Sequence, residues 1–153
     1  MTTVGRTLGP GRYGLAQLQI GDRIVTDTRT VSANMIDAFA DLSGDRFAIH
    51  MDASAAAGYG FSGRVAHGLL VLSVIDGLKN QAVAQFDAIA SLGWDWTFNA
   101  PILADDGVRA LITVADLRVT SDQKRGVATL DFDVTNQSGA MVQRGQNRLL
   151  MRI

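Results

Sequence analysis

The chain has two histidines, and each lies in a short polar stretch next to glycine. One stretch is Ser43-Gly44-Asp45-Arg46-Phe47-Ala48-Ile49-His50, the other Gly63-Arg64-Val65-Ala66-His67-Gly68. Asp45 and His50 are two titratable groups that one glycine-bounded loop can aim at a single water, which is what general acid–base chemistry needs. His67 and Gly68 open the most apolar helix of the chain. The unpaired N–H groups and positive dipole end of such a helix start stabilise an oxyanion, and a glycine there admits a ligand close to the backbone. His67 by itself reads as the residue that orients the helix start. An Asp and a His five apart make a local hydrogen bond more often than a catalytic pair. It is the second segment that shifts the reading toward chemistry.

Other residues carry weaker signals. His50, Asp45 and Asp52 are of metal-ligand type, but two histidines without an H-E-x-x-H spacing do not make a metal site the expectation. The glycines of Gly58-Tyr59-Gly60-Phe61-Ser62-Gly63 lack the preceding strand and the Lys-Ser/Thr tail of a phosphate cradle, so a mobile or close-packed loop is expected. Asp76 and Lys79 read as a surface ion pair of little energetic weight. Trp94, Trp96 and Phe98 alternate along one strand and read as core or subunit contact, not as a cofactor box.

These residues need a scaffold, and the bulk numbers allow one. A chain of 153 residues that is 47% hydrophobic buries a real core in one domain. A formal net charge of −1 speaks against a nucleic-acid binder, and no basic amphipathic run suggests a membrane surface. With no cysteine, disulfides and thiolate chemistry are excluded. Residues 1–14 lack the continuous apolar region of a secretory signal, and no apolar run is long enough to span a bilayer. The expected location is the cytoplasm.

Residues 1–14 are expected to be a flexible leader, followed by a domain over 15–153. Leu15 to Ile20 suggests a short apolar segment before a turn at Gly21-Asp22, and Ile24 to Val31 alternates as a strand. Ser32 is an N-cap for a helix carrying Met35, Ile36, Phe39 and Leu42, which Gly44 ends. A helix from Ala66 to about Gln85 is apolar almost all round over its first half and belongs inside the protein. Four strand-like runs follow: Trp94–Phe98, Val108–Val119, Val127–Thr135 and Met141–Ile153. In the last of these, Leu149, Met151 and Ile153 oppose Arg144, Arg148 and Arg152. One strand, a buried helix and an antiparallel meander make an α+β sheet rolled around a central helix.

Ser43-Gly44-Asp45, then His50, then Ala66-His67-Gly68 resembles the MaoC-like hydratases, whose signature reads roughly S-G-D-x-N-P-h-H followed by A-H-G. Leu18-x-Ile20-Gly21-Asp22, Thr30-Val31-Ser32 and Phe98-x-Ala100-Pro101 agree with it, so the similarity runs from about Tyr13 to the end. Phe47 stands where the family has asparagine and Ala48 where it has proline. That variant looks like hydratase domains acting on ring-type CoA thioesters. Asp76 falls near a position where relatives carry a small hydroxyl residue.

The resemblance implies a single hot-dog domain, with an antiparallel sheet wrapped around a long central helix. It implies that Asp45 and His50 hold the attacking water and that the Gly68 N–H holds the thioester carbonyl. Ala66, His67, Arg64 and Phe47 border that site; Arg64, beside the helix entrance, reads equally as a contact for a CoA phosphate or as a solvated arginine. The implied activity is hydration of a trans-2-enoyl-CoA to a 3-hydroxyacyl-CoA, or the reverse dehydration, with R stereochemistry. It uses no cofactor and no metal, and the substrate is a coenzyme A or acyl-carrier thioester. A homodimer or higher homo-oligomer is expected by analogy. Two other readings stand beside it: thioester hydrolysis on the same fold, and a non-catalytic acyl-CoA-binding subunit.

Overall fold

The computed structural model describes residues 5–153. The chain begins with β1 (Gly11–Tyr13), a 3-10 turn at Leu15–Gln17, β2 (Arg23–Val25) and β3 (Arg29–Thr30). Four helices follow: α1 (Ala33–Ser43), α2 (Ala48–Met51), α3 (Ala53–Gly58) and α4 (Gly68–Gln81). The remainder is β4 (Ala84–Phe86), β5 (Ala88–Phe98), β6 (Gly107–Val119), β7 (Arg125–Asn136) and β8 (Met141–Arg152). The main sheet is antiparallel in the order β2-β6-β7-β8-β5, with β3 pairing β6 beyond β2. A separate two-stranded ribbon pairs β1 with β4 in parallel.

The alternation in the long strands decides which face is buried. Val108, Ala110, Ile112 and Val114 of β6 are buried with Ala128, Leu130, Phe132 and Val134 of β7 and Leu149 and Met151 of β8. They form one core with Leu70, Val71, Ile75 and Leu78 of α4. The register sets Trp96 beside Gly145 and Gly145 beside Phe132. A Cβ at Gly145 would lie 2.1 Å from the Asp95 carbonyl oxygen and 2.7 Å from Trp96 Cε3. Only a glycine there lets the Trp96 ring lie across the strand, where it meets Trp94 and Phe132 at centroid distances of 5.4 and 5.5 Å. Aromatic edges on faces at such separations are mutually attractive.

α1 is bounded as expected. Ser32 Oγ accepts from Met35 N at 3.2 Å, and Gly44 closes the helix with φ +78°, a conformation glycine takes without Cβ strain. The expected strand over Ile24–Val31 is instead broken. The Thr26 hydroxyl accepts from Ala110 N at 2.9 Å, taking the place of a ladder carbonyl. Beyond it the chain leaves β6 and rejoins as β3. The alanines at 53–57 form α3.

The central helix is shorter and less enclosed than its composition suggests. It ends at Gln81 because Ala82 turns extended, with ψ 152°, to lay β4 beside β1. The sheet covers one side; Leu69, on the other, is 60% exposed. Of the Asp76–Lys79 pair, expected on the surface, the aspartate side chain is 40% exposed but the lysine is buried. Lys79 is 5% exposed, with Nζ 2.8 Å from Asp76 Oδ1 and 5.6 Å from the Trp94 ring centroid. Ile153, expected to face inward, lies past β8 and is half-exposed. Among the described residues no helix is long and apolar enough to cross a membrane.

The expected flexible leader, 1–14, is docked over its described part. Leu8 is buried, β1 is paired, and Arg6 forks onto Asp22 with Nε–Oδ1 2.7 Å and Nη2–Oδ2 3.0 Å. Asp22 is buried and also accepts from Gln19 N. The Arg6 guanidinium, with that amide, holds the Asp22 carboxyl below the usual carboxylate range. A depressed folded-state pKa gives stability that is present above the unfolded value near 3.9 and lost as pH falls through the folded one. Asp22→Asn is therefore expected to cost about 1–2 kcal/mol at neutral pH. The gap to wild type should begin to narrow only below about pH 4 and shrink further as pH falls through the depressed folded value; a gap unchanged across that range would contradict this.

Candidate active site

The loop after α1 is shaped by its own short polar side chains. Ser43 Oγ donates to the Phe39 carbonyl at 2.7 Å and accepts from Asp45 N at 3.1 Å. Asp45 Oδ1 accepts from Phe47 N at 3.1 Å, an Asx turn that fixes the carboxylate and leaves Oδ2 available. Phe47 then caps α2, so His50 sits in a one-turn helix and not in the loop expected from the spacing. That turn brings His50 back toward Asp45, with Nε2 and Oδ2 4.0 Å apart.

His50 is buried, and its Nδ1 lies 2.6 Å from the Val65 carbonyl oxygen. A carbonyl only accepts, so Nδ1 carries the proton and Nε2 presents its lone pair on the Asp45 side. A separation of 4.0 Å is too long for a direct hydrogen bond. Two bonds of about 2.8 Å meeting near a right angle at one water span it.

His67 does a different job. Its Nε2–H donates to the Asp45 backbone carbonyl at 2.8 Å, and its ring stacks on His50 at 4.0 Å. Phe39 covers the ring at 4.9 Å. The His67 side chain thus ties the Asp45 loop to the residue that caps α4. Its Nδ1 is buried and has no hydrogen-bond partner among the described residues. Asp45, His50 and His67 together are the metal-ligand-type cluster of the described residues, with candidate atoms within 4.8 Å of one another. Asp52 stands outside it and caps α3 by accepting from Ser54 N.

Gly68 begins α4, and no side chain caps that end. A cavity of about 320 Å³ opens beside it, lined by His50, Ala66, Gly68, Phe98, Pro101 and Gln143 among others. A Cβ at Gly68 would fall 2.4 Å from Phe98 Cε2, so the bare backbone is what lets this ring cover the helix start. Ala66 is buried and donates its N–H to the Ile102 carbonyl at 2.7 Å, closing the cavity floor. Phe47 is 57% exposed and meets His50 edge-on at 6.0 Å.

Arg64 lies beside the helix entrance with its Nε and Nη2 engaged within the protein. Nε donates to the His50 carbonyl at 2.6 Å, and Nη2 to Asp37 Oδ1 at 2.5 Å. It clamps α2 to α1. Arg64→Ala is expected to lower kcat/KM on crotonyl-CoA and on the truncated thioester crotonyl-pantetheine by the same factor, about tenfold for one displaced positioning contact. A loss confined to the CoA substrate would make Arg64 a phosphate ligand instead.

Gln143 escaped the sequence reading. It is 2% exposed, its Oε1 accepts from Trp96 Nε1 at 2.9 Å, and its Nε2 donates to the Gly68 carbonyl at 3.3 Å. The available signal was a polar residue at an inward position of β8, in phase with Leu149 and Met151.

The MaoC like domain model matches residues 16–136. The chain belongs to the MaoC-like family. An (R)-specific enoyl-CoA hydratase of Aeromonas caviae is 31% identical over 129 residues, 84% of this chain and 92% of that one. The structure of a monoamine oxidase regulatory protein from Archaeoglobus fulgius superposes with TM-score 0.85 at 31% identity, covering 98% of each chain. A Mycobacterium tuberculosis protein with a double hotdog fold superposes at TM-score 0.81 and 21% identity, over 94% of this chain and 44% of that one. That likeness concerns the fold alone. The single domain here is the α+β hot-dog fold of the MaoC-like family.

Proposed function

We propose that this MaoC-like protein adds water across the double bond of a trans-2-enoyl thioester, reversibly, to give an (R)-3-hydroxyacyl thioester. The observation that carries the reading is the 4.0 Å gap between Asp45 Oδ2 and His50 Nε2, with His50 also lining the cavity that Gly68 borders. A water between two acceptors donates both protons to them and keeps a lone pair free. That lone pair forms the new bond to the β-carbon. The π electrons move through the α-carbon onto the thioester oxygen, where the Gly68 N–H and the start of α4 receive the charge. The proton lost by the water to the Asp45/His50 pair goes to the α-carbon, so atoms and charge balance. The reaction needs no cofactor, since coenzyme A or an acyl carrier is part of the substrate.

The proposal includes a homodimer. β5 is an edge strand whose Ile89, Leu92 and Phe98 are each about half-exposed, and an unpaired apolar edge is a surface for pairing. The cavity borders that edge through Phe98. Sedimentation should give twice the chain mass.

Loss of the enoyl-thioester absorbance of crotonyl-CoA, without release of free thiol, is the expected result with the purified protein. Thiol release in step with substrate loss would assign hydrolysis instead. A folded protein inert to a panel of enoyl-CoA and enoyl-carrier thioesters would leave only binding.

A further inference from the structure

The cavity beside Gly68 is mostly apolar, walled by Ile49, Phe61, Val65, Phe98 and Ile102. Two polar side chains on its wall are not used by the chemistry above: Asn99, which is exposed, and Gln143, which is buried. A buried amide must have its hydrogen-bonding groups satisfied, so its presence on the inner face of β8 calls for a reason. Its orientation is set by its neighbours. The Trp96 indole can only donate, so Oε1 must face it, and Nε2 therefore faces α4 and the cavity. Nε2 carries two protons. One goes to the Gly68 carbonyl at 3.3 Å, a long bond, and no second acceptor stands among its hydrogen bonds in the described residues.

The position of that second donor matters. In a helix the carbonyl of a residue points toward the C-terminal end and its N–H toward the N-terminal end. Gln143 Nε2 bonds the Gly68 carbonyl, so it lies further along α4 than the Gly68 N–H. Gly68 and Gln143 line the same cavity, so an acyl group whose thioester oxygen is held at that N–H shares the cavity with the Gln143 amide.

We infer that Gln143 is a specificity-determining residue, donating a hydrogen bond to an oxygen substituent on the acyl group of the enoyl thioester. This rests on the water-addition reading and narrows its substrate class to oxygen-bearing acyl groups over plain alkyl ones. A donor already positioned and desolvated discriminates strongly, because the analogue lacking the oxygen leaves it unpaired.

The test compares crotonyl-CoA with 4-hydroxycrotonyl-CoA, which differ by one oxygen on the γ-carbon. The wild type should favour the hydroxylated substrate in kcat/KM. Gln143→Met should reduce that preference about tenfold, the factor for one neutral hydrogen bond. The double variant Gln143→Met/Trp96→Phe removes the indole donor left without an acceptor and should show the same reduced ratio. It covers the case in which the single variant does not fold. An unchanged substrate ratio in a folded variant would overturn the inference and make Gln143 a support for the helix start only, while leaving the hydratase reading intact. A wild type that hydrates neither thioester would remove that reading, and this inference with it.

Discussion

Replacing Asp45 with Asn or His50 with Ala is expected to lower the rate of crotonyl-CoA hydration by roughly 10²–10⁴ in each case, the usual worth of a positioned acid or base. The two losses should not add, because both residues hold one water and removing either leaves it without its second acceptor. The double variant should therefore fall little below the worse single one. KM should move far less than kcat, since neither side chain is placed to hold the CoA. Asp45→Asn preserves the Asx turn, because its side-chain oxygen can still accept from Phe47 N, so the loss reports on charge and not on loop collapse. Wild-type turnover in both single variants, on protein with unchanged circular dichroism, would remove the pair from the mechanism.

Gly68→Ala is the second large effect. The added methyl carbon has no room, with three atoms of the Phe98 ring at 2.4–2.6 Å from its ideal position. Phe98 is 54% exposed and able to swing outward, so the chain should fold. The methyl group and the displaced ring would then intrude where the thioester oxygen approaches the helix start. A fall of roughly 10²–10³ in kcat is expected, the cost of one lost oxyanion donor. Adding Phe98→Ala restores space and should recover at least about tenfold of it. Full activity in Gly68→Ala alone would show that this amide does not carry the developing charge.

Much of the frame was legible because its signals are local and periodic. Ser32 and Gly44 marked the limits of α1, and period-two alternation separated Val108, Ala110, Ile112 and Val114 from their solvent-facing neighbours. The residues of the candidate site could be picked out by type and spacing, and the chain does bring Asp45, His50, His67 and Gly68 to one place. What was not legible depends on contacts distant in sequence. Thr26 breaks a strand because its hydroxyl finds Ala110, 84 residues away. Lys79 is buried because Trp94 and Asp76 receive it, which no surface pattern of the helix shows. The α2 turn has neither the asparagine nor the proline of the family signature, so its helical form had no marker. The clamp made by Arg64 had no local signal because its acceptors, Asp37 and the His50 carbonyl, lie 27 and 14 positions away.

The bond from the Trp96 indole to Gln143 has an optical corollary. The protein contains two tryptophans, packed against each other, and one of them donates to a side chain on the cavity wall. A molecule arriving beside Gln143 alters the electric field at that indole, so intrinsic emission becomes a label-free gauge of occupancy, with no third fluorophore of the kind to obscure it.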